Sequence, residues 1–413
     1  MSLLLRCSRI VDGTGAALTR HGVLIEDGRI ARLAPMAEFD GYSGQDVVLD
    51  DATLLPGLID CHVHLCFAAE PNPGEATDKM RPGAVAVRAL TNAQRSLRGG
   101  ITAIRDCGGK DYLEFAARDA CNRGEFQGPT IRASGRMICM TGGHGNRFGR
   151  VADGVDDVVR AVREQVHAGS DLVKIMATGG VMTPGVDPED AHYSAEEMAA
   201  GIAEGHRFHK PCASHAQGTE GILNAVRGGI DSIEHGIFLS DKCIEEMLER
   251  RTYLVPTLAA LKNILGGSDK GVPEYVLEKA ARVSEAHQKS IKIFYAAGGR
   301  IAMGTDAGTP FNHHGENAQE LRYMVDVGIS PMDAITFSTA NAADLMRLEK
   351  TGRIQEGAVA DLLVVEGNPL EDIDAVADST RHRLVIKGGQ VVHAEPGEPG
   401  AAQSTLAALA AAQ

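Results

Sequence analysis

The sequence lacks several features that would place it in a specialised class of protein. No run approaches the roughly 18 consecutive apolar residues of a membrane-spanning helix. The eight cysteines are widely spread and contain no C-x-x-C pair, so we expect no disulfide framework. Basic residues are also scarce, with 41 Lys and Arg against 55 Asp and Glu, which argues against nucleic acid or an anionic membrane as the main partner. We therefore expect a cytoplasmic protein.

What the chain does contain is typical of a large globular enzyme. Of its 413 residues, 44% are hydrophobic and 23% are charged, which excludes a largely disordered chain. Its 48 glycines often follow apolar runs, where glycine usually marks a tight loop at the end of a strand. The length can accommodate an α/β barrel of about 250 residues together with a smaller unit.

Short strand patterns occur near both ends of the sequence. They lie at residues 23–30, 47–49, 360–365 and 384–392, with Gly388-Gly389 as a hairpin turn in the last. The pattern predicts a small β-sandwich domain built from both termini, comprising residues 1–56 and 349–395. Residues 396–413 form an Ala-rich tail to which we assign no function.

The middle of the chain alternates between strand-like and helical patterns. Eight apolar runs occur at residues 54–64, 102–107, 130–138, 172–177, 212–215, 232–235, 253–257 and 301–305. Helical patterns lie between them, and Ser194 and Glu197 form a capping box before one of these. Eight such units favour an α/β fold, a closed (β/α)8 TIM barrel over residues 57–348, rather than an open sheet.

Residues of the types that bind metals occur at the ends of five of these runs. His62 and His64 are two residues apart, so on a strand both imidazoles point to the same side and can reach one ion. Lys174 interrupts an apolar run, where its charge is costly to bury unless it is paired or chemically altered. The alternatives are two unrelated histidines, and a lysine that extends to the barrel mouth or pairs with a buried acid.

Three further residues of metal-binding types also lie at the ends of apolar runs. His215 and His235 end the fifth and sixth runs, and Asp306 follows the eighth. Each has an ordinary alternative, since a core histidine can bond to the backbone and an aspartate can cap a turn. Four histidines, one lysine and one aspartate at strand ends on a common barrel face are difficult to explain by chance.

At this point the sequence resembles the amidohydrolase superfamily. Residues 56–64, Pro-Gly-Leu-Ile-Asp-Cys-His-Val-His, are similar to its strand-1 signature, and segments 360–364 and 387–389 are similar to those that close its β domain. Residues 141–145 and 231–236 resemble the imidazolonepropionase-related branch that contains prolidase-like Xaa-Pro and Xaa-Arg dipeptidases. The resemblance covers roughly residues 5–393.

The resemblance implies a binuclear metal centre. His62 and His64 would hold one ion with Asp306, whereas His215 and His235 would hold the other. A carbamate on Lys174, derived from carbon dioxide, would bridge the two divalent ions, for which zinc is the first expectation. Ions that share a water can lower its pKa toward about 7, and attack by this bridging hydroxide is the implied reaction.

The resemblance also implies roles in catalysis. Asp306 would accept the proton of the attacking water and deliver it to the leaving amine. His144, on a Gly-rich loop, would stabilise the oxyanion, although a solvent-exposed loop histidine is the alternative. Gln217, Arg147 and Tyr193 are weaker candidates for contacts with the substrate, and Arg147 could equally be a solvated loop charge.

We therefore predict a metal-dependent hydrolase that cleaves the amide bond of a dipeptide or N-acyl amino acid. The same centre could instead serve a phosphotriesterase, a lactonase or a cyclic-amide hydrolase. A non-catalytic scaffold is a further alternative, although none of the six expected ligand positions is lost. By resemblance we also expect a homo-oligomer, with a small-molecule substrate as the main partner.

Overall fold

The structure, a computed structural model, describes residues 2–394. Its strands are β1 (Ser2–Val11), β2 (Ala17–Glu26), β3 (Arg29–Pro35), β4 (Gln45–Pro56), β5 (Leu58–Val63), β6 (Ile101–Asp106), β7 (Thr130–Ala133), β8 (Ile138–Cys139), β9 (Arg150–Val151), β10 (Val173–Met176), β11 (Cys212–Ala216), β12 (Ser232–His235), β13 (Tyr253–Val255), β14 (Leu362–Glu366), β15 (His382–Lys387) and β16 (Gln390–Ala394). The predicted tail 396–413 lies outside these residues.

Helices connect most of the central strands. They are α1 (Pro73–Asp78), α2 (Pro82–Arg98), α3 (Glu114–Asn122), α4 (Val155–Ala168), α5 (Ala195–Arg207), α6 (Thr219–Arg227), α7 (Asp241–Arg250), α8 (Leu258–Gly266), α9 (Glu274–Ala296), α10 (Gln319–Asp326), α11 (Pro331–Phe337), α12 (Ala340–Leu345) and α13 (Asp374–Ala377). The capping box predicted at the start of α5 is present, with Ser194 and Glu197 bonded reciprocally. Within residues 2–394, no helix is long and apolar enough to cross a membrane.

Strands from both ends of the described chain form one seven-stranded sheet in the order β16-β15-β14-β4-β1-β2-β3. Strand β4 makes this possible because it pairs with β1 on one edge and with β14 on the other. The strands are thus joined in a single hydrogen-bonded sheet, and the β-sandwich remains a prediction. The apolar side chains of this sheet form a separate hydrophobic cluster that includes Leu5, Leu54 and Leu384. The predicted domain limits remain predictions.

The central strands are parallel, as the alternating pattern predicts. They form a three-stranded sheet, β5-β6-β7, and a six-stranded sheet in the order β13-β12-β11-β10-β8-β9. Apolar side chains of these strands and of the surrounding helices share the largest hydrophobic cluster. Parallel strands buried on both faces are expected where helices cover the sheet.

The eighth predicted strand, residues 301–305, is the main local difference. Ile301 makes a single parallel bridge to Leu254 rather than a continuous ladder. The segment nevertheless links the two parallel sheets, because Ala302 N donates to Leu254 O at 3.0 Å and Cys61 N donates to Met303 O at 2.9 Å. Gly304 packs so closely against this layer that a Cβ there would lie 2.3 Å from Val255. These close contacts position the loop that carries Asp306.

Candidate metal centre

The six predicted ligands line a single cavity of about 480 Å³. All six belong to parallel strands or to segments that follow them: Lys174 is the second residue of β10, and the others lie near or just after the carboxyl end of a parallel strand or of the 301–305 segment. They are His62, His64, Lys174, His215, His235 and Asp306. The structure therefore brings together residues that are more than 200 positions apart in sequence.

Short distances connect these side chains. Asp306 Oδ1 lies 3.1 Å from His64 Nε2 and 3.5 Å from His62 Nε2. Lys174 Nζ lies 3.5 Å from the same His62 nitrogen. The rings of His215 and His235 are 4.6 Å apart, and those of His62 and His235 are 5.2 Å apart. Donor atoms of His62, His235 and Asp306 all lie within 4.8 Å of one another.

Each of the four histidines has one ring nitrogen held by a partner outside the cluster. The partners are Glu234 Oε2 for His62 Nδ1 (2.7 Å), Gly108 O for His64 Nδ1 (2.7 Å), Gly179 O for His215 Nε2 (2.8 Å) and Thr257 Oγ1 for His235 Nδ1 (2.6 Å). This arrangement leaves the other nitrogen of each ring on the cluster side, as is usual for histidines that bind a metal.

The backbone is unusual where three of the cavity residues lie. His235, Thr257 and Asp306 have φ values of 72°, 52° and 62°, in the left-handed region that residues with a Cβ rarely adopt. Such conformations cost about 1–3 kcal/mol each and persist only when the surrounding packing enforces them. Here they turn side chains at the strand ends toward the cavity.

Burial keeps three of the imidazoles neutral. It is the main cause that lowers the pKa of His62, His215 and His235, and neighbouring cationic groups lower the pKa values further. For His64, burial acts in the same direction, but the adjacent Asp306 outweighs it and raises the pKa. Neutral imidazole is the form that binds a metal ion.

Lys174 is only 1% exposed, yet no carboxylate among residues 2–394 lies within ion-pair distance of its amine. An unpaired ammonium in such a place is costly. Asp306 shows a related deficiency, because its buried Oδ1 has no hydrogen-bond partner in the described chain despite the nearby histidine nitrogens. Divalent metal ions fit this set of four imidazoles, a carboxylate oxygen without a hydrogen-bond partner and a buried lysine without a carboxylate partner among the described residues.

His144 lies beside this cluster on the loop after β8. Its ring centroid is 4.4 Å from that of His215, and its Nδ1 is 2.8 Å from Thr183 Oγ1. Burial is the first cause that lowers the pKa of His144, to about 3, with His192 and Lys174 adding to it. Gly180 packs against the ring face so closely that a Cβ there would lie 2.7 Å from it.

The three weaker candidates for substrate contacts lie in different surroundings. Gln217 lines the cavity and is 4% exposed, and its Oε1 has no hydrogen-bond partner among the described residues. Arg147 also lines the cavity, where its Nε donates to Asp78 Oδ2 at 2.6 Å. Tyr193 is not among the residues that line this cavity, and its buried hydroxyl donates to Ala152 O at 2.9 Å. Tyr193 is therefore a packing residue in this structure.

Sequence reasoning missed three residues that support the cluster. Glu234 and Arg105 are buried in strands, and Thr257 holds His235. Glu234 and Arg105 could have been found by the same pattern as Lys174, because each is a charged residue within an apolar strand. Thr257 carried no such signal, because its role depends on the conformation of its backbone.

Comparison with known proteins gives consistent results. Ochratoxinase from Aspergillus niger is 31% identical over 92% of this chain and 85% of its own length. The structure of a Xaa-Pro dipeptidase with methionine bound in its active site is 32% identical, with a TM-score of 0.87 over 95% of this chain and 99% of that one. A prolidase in complex with N-methylphosphonate-L-proline is 30% identical, with a TM-score of 0.86 over 96% of this chain and all of that one (100%).

The predicted family is confirmed. The Amidohydrolase family matches residues 53–392, which is most of the sequence. The prolidase relatives also confirm the prolidase-related assignment within it. Members of this family depend on metals and combine a TIM barrel with a second domain, which agrees with the parallel α/β sheets and the candidate ligands described above. The chain belongs to the amidohydrolase family.

Proposed function

We propose that this protein hydrolyses the amide bond of a dipeptide or N-acyl amino acid at a binuclear metal centre. The observation that carries the proposal is the convergence of six ligand-type side chains on one cavity. Among the described residues, Asp306 Oδ1 has no hydrogen-bond partner and the Lys174 amine has no carboxylate within ion-pair distance. The names of its relatives support an amide bond as the target, since they include an ochratoxinase, a Xaa-Pro dipeptidase and a prolidase.

In this proposal His62, His64 and Asp306 would hold one ion, and His215 and His235 would hold the other. A carbamate on Lys174 would supply a further oxygen ligand and would remove the cost of burying an ammonium without a carboxylate partner. When bound, two divalent ions, with zinc as the first expectation, activate water and polarise a carbonyl group. The hydrogen bonds to the outer ring nitrogens keep each histidine in its ligand orientation.

Proton transfer is the task of Asp306. Its carboxylate lines the cavity beside His62 and His64, which is where a proton from the attacking water can be accepted. The same carboxyl group then donates that proton to the leaving amine. The left-handed backbone at Asp306 fixes the position of the carboxylate for both steps.

His144 stabilises the charge that develops on the carbonyl oxygen. Its Nδ1 lies 2.8 Å from Thr183 Oγ1, and in this proposal the Thr183 hydroxyl donates to Nδ1, so that the proton of the neutral ring is on Nε2. That N–H is a preorganised donor beside the proposed ligand His215, which is the position such a group needs.

The cavity favours a substrate with an apolar side chain. Asp306 is the one carboxylate in its described lining, so no acidic group is available to bind a cationic side chain. One wall belongs to a hydrophobic cluster formed by Val181, Met182, Ile237, Leu261, Ile264 and Tyr275. Arg147 lies at the edge of the cavity, where it can bind a substrate carboxylate by a charge-assisted hydrogen bond.

The proposal includes the architecture that the sequence predicts. We place residues 57–348 in a closed (β/α)8 barrel, with residues 1–56 and 349–395 in the second domain. Closure is supported by the 300–303 segment, which is hydrogen-bonded to β13 on one side and to β5 on the other. Asp171 N also donates to Ala133 O at 2.9 Å, between the segment before β10 and the end of β7.

The test combines metal analysis with a substrate library. Zinc-loaded protein is incubated with Xaa-Xaa dipeptides and N-acyl amino acids, and bound metal is counted by mass spectrometry. We expect about two ions per chain and hydrolysis of the members with apolar side chains. Asp306→Asn should retain metal and lower turnover by orders of magnitude, whereas Asp326→Asn, an exposed change on α10, should resemble wild type.

Two results would contradict the proposal. Near-normal turnover by Asp306→Asn would remove this residue as the proton carrier. A silent library with two ions bound would show that the centre acts on a different bond.

A further inference from the structure

A buried ion pair lies directly behind the proposed ligand His62. Glu234 on β12 and Arg105 on β6 are 0% and 3% exposed, and Arg105 Nη2 donates to Glu234 Oε1 at 2.7 Å. Ser232 Oγ donates to the same oxygen at 2.6 Å. The other oxygen, Oε2, lies 2.7 Å from His62 Nδ1. The two oxygens of Glu234 thus have separate partners, one set facing Arg105 and the other facing His62.

The guanidinium of Arg105 is fixed in place. Its Nε donates to Cys61 O at 2.5 Å, and its Nη1 donates to Ser232 Oγ at 3.1 Å. Because arginine has donors and no acceptor, whatever atom of residue 234 faces it must be an acceptor. The environment therefore determines which way the head group of residue 234 can be oriented.

We propose that Glu234 is a positioning residue that sets the tautomer of His62, so that Nδ1 carries the proton and Nε2 presents a lone pair to the metal. This inference rests on the proposed function, which makes His62 a ligand. On the other side of the ring, Nε2 lies 3.5 Å from the Lys174 amine, a donor, and 3.5 Å from Asp306 Oδ1, an acceptor, so the argument for the tautomer rests on the Glu234 side.

Glutamine at position 234 should reverse the tautomer. Its amide oxygen must face Arg105 and Ser232, which both donate to Oε1 in the wild type. Its NH₂ group then faces His62 Nδ1, which can pair with it only as an acceptor. The ring proton moves to Nε2 and blocks the ligand lone pair, although the size and shape of the side chain are unchanged.

A second substitution should undo this effect. In Arg105→Met/Glu234→Gln the guanidinium is absent, so the glutamine can turn around. Its NH₂ group then donates to Ser232 Oγ, and its oxygen accepts from His62 Nδ1 as the carboxylate does in the wild type. If Glu234 served only to fill space, adding Arg105→Met to Glu234→Gln would not restore the wild-type tautomer of His62.

The experiment reads the tautomer and the metal separately. Nitrogen-15 spectra of histidine-labelled, metal-free protein distinguish protonation at Nδ1 from protonation at Nε2, and the His62 signal is assigned by its loss in His62→Asn. Zinc affinity is measured by competition with a chromogenic chelator. The control is Glu246→Gln on α7, which removes the carboxylate paired with Arg227 away from the cavity.

We expect Nδ1 protonation in wild type and in the double variant, and Nε2 protonation in Glu234→Gln. Zinc affinity should fall about 10- to 100-fold in Glu234→Gln, recover in the double variant and stay unchanged in Glu246→Gln. Nε2 protonation of His62 in the wild type would overturn the inference even if Glu234→Gln did not fold. An unchanged tautomer in a folded Glu234→Gln would also overturn it. Wild-type protein that binds no zinc would instead overturn the proposed function.

Discussion

A single methyl group at position 180 should disable His144 without touching any proposed ligand. Gly180 lies against the imidazole face, and its φ is not in the left-handed region, so alanine introduces no backbone strain there. The new Cβ would lie 2.7 Å from the nearest ring atom and 2.8 Å from two others. The ring must therefore move or the loop must distort.

The size of the effect follows from these distances. Ordinary contact begins at 3.4 Å, so the ring of His144 must shift by about 0.7 Å, against its hydrogen bond to Thr183. A misplacement of about 1 Å in a catalytic group can cost about 100-fold in rate. For Gly180→Ala we expect kcat to fall about 10- to 100-fold, which corresponds to about 1.4–2.7 kcal/mol in the activation free energy.

The assay is steady-state hydrolysis of the best library substrate, with bound zinc measured on the same samples. The control is Gly83→Ala, because a Cβ at that glycine has no atom within 4 Å. His144→Ala sets the upper limit, since it removes the donor completely. A kcat for Gly180→Ala equal to that of Gly83→Ala would refute the role of His144, and loss of zinc would show that the methyl group disturbs the ligands instead.

Two further predictions concern buried charges. Lys174→Ala should lose bound zinc, and added short-chain carboxylic acids should restore part of the activity; unchanged metal content, as expected for the exposed control Lys292→Ala, would reject the bridging role. Burial, with the nearby Asp106 adding to it, raises the pKa of Glu114 to about 8 from an ordinary value of 4.5. The folded state therefore retains a proton that the unfolded state releases, so the free energy of unfolding should fall as pH rises from about 4.5 to about 8. Glu114→Gln should lack this part of the slope in denaturant titrations, and equal slopes would contradict the assignment.

The sequence predicted the parts of the molecule that depend on local patterns. His62 and His64 were found because the two-residue period of a strand places them on one side, and the capping box at Ser194 was found because its spacing is fixed by helix geometry. The alternation of apolar runs predicted the parallel strands and, with them, the shared edge where the candidate ligands meet.

What the sequence did not predict depends on pairing between distant segments. Residues 301–305 look like a strand, but their hydrogen bonds alternate between two neighbours and form no continuous ladder. Tyr193 follows a polar loop in the sequence, which suggested a contact with the substrate. In the structure its hydroxyl instead donates a hydrogen bond to the carbonyl group of Ala152. The division of the Glu234 carboxylate between Arg105 and His62 requires three strands to be in register, which no local pattern encodes.

The seven-stranded sheet has a consequence for the order in which the protein folds during its synthesis. Thr53 on β4 pairs with Val365 on β14, so roughly 300 residues are made after β4 before its second partner exists. Until then β4 presents an unpaired edge, which can template association with other chains. The central strands and helices can form before this edge of β4 is paired, because the central strands pair mostly with strands that are close to them in the sequence. Completion of the sheet is therefore a late event in biogenesis, and the nascent protein is most exposed to misassembly just before β14 is released.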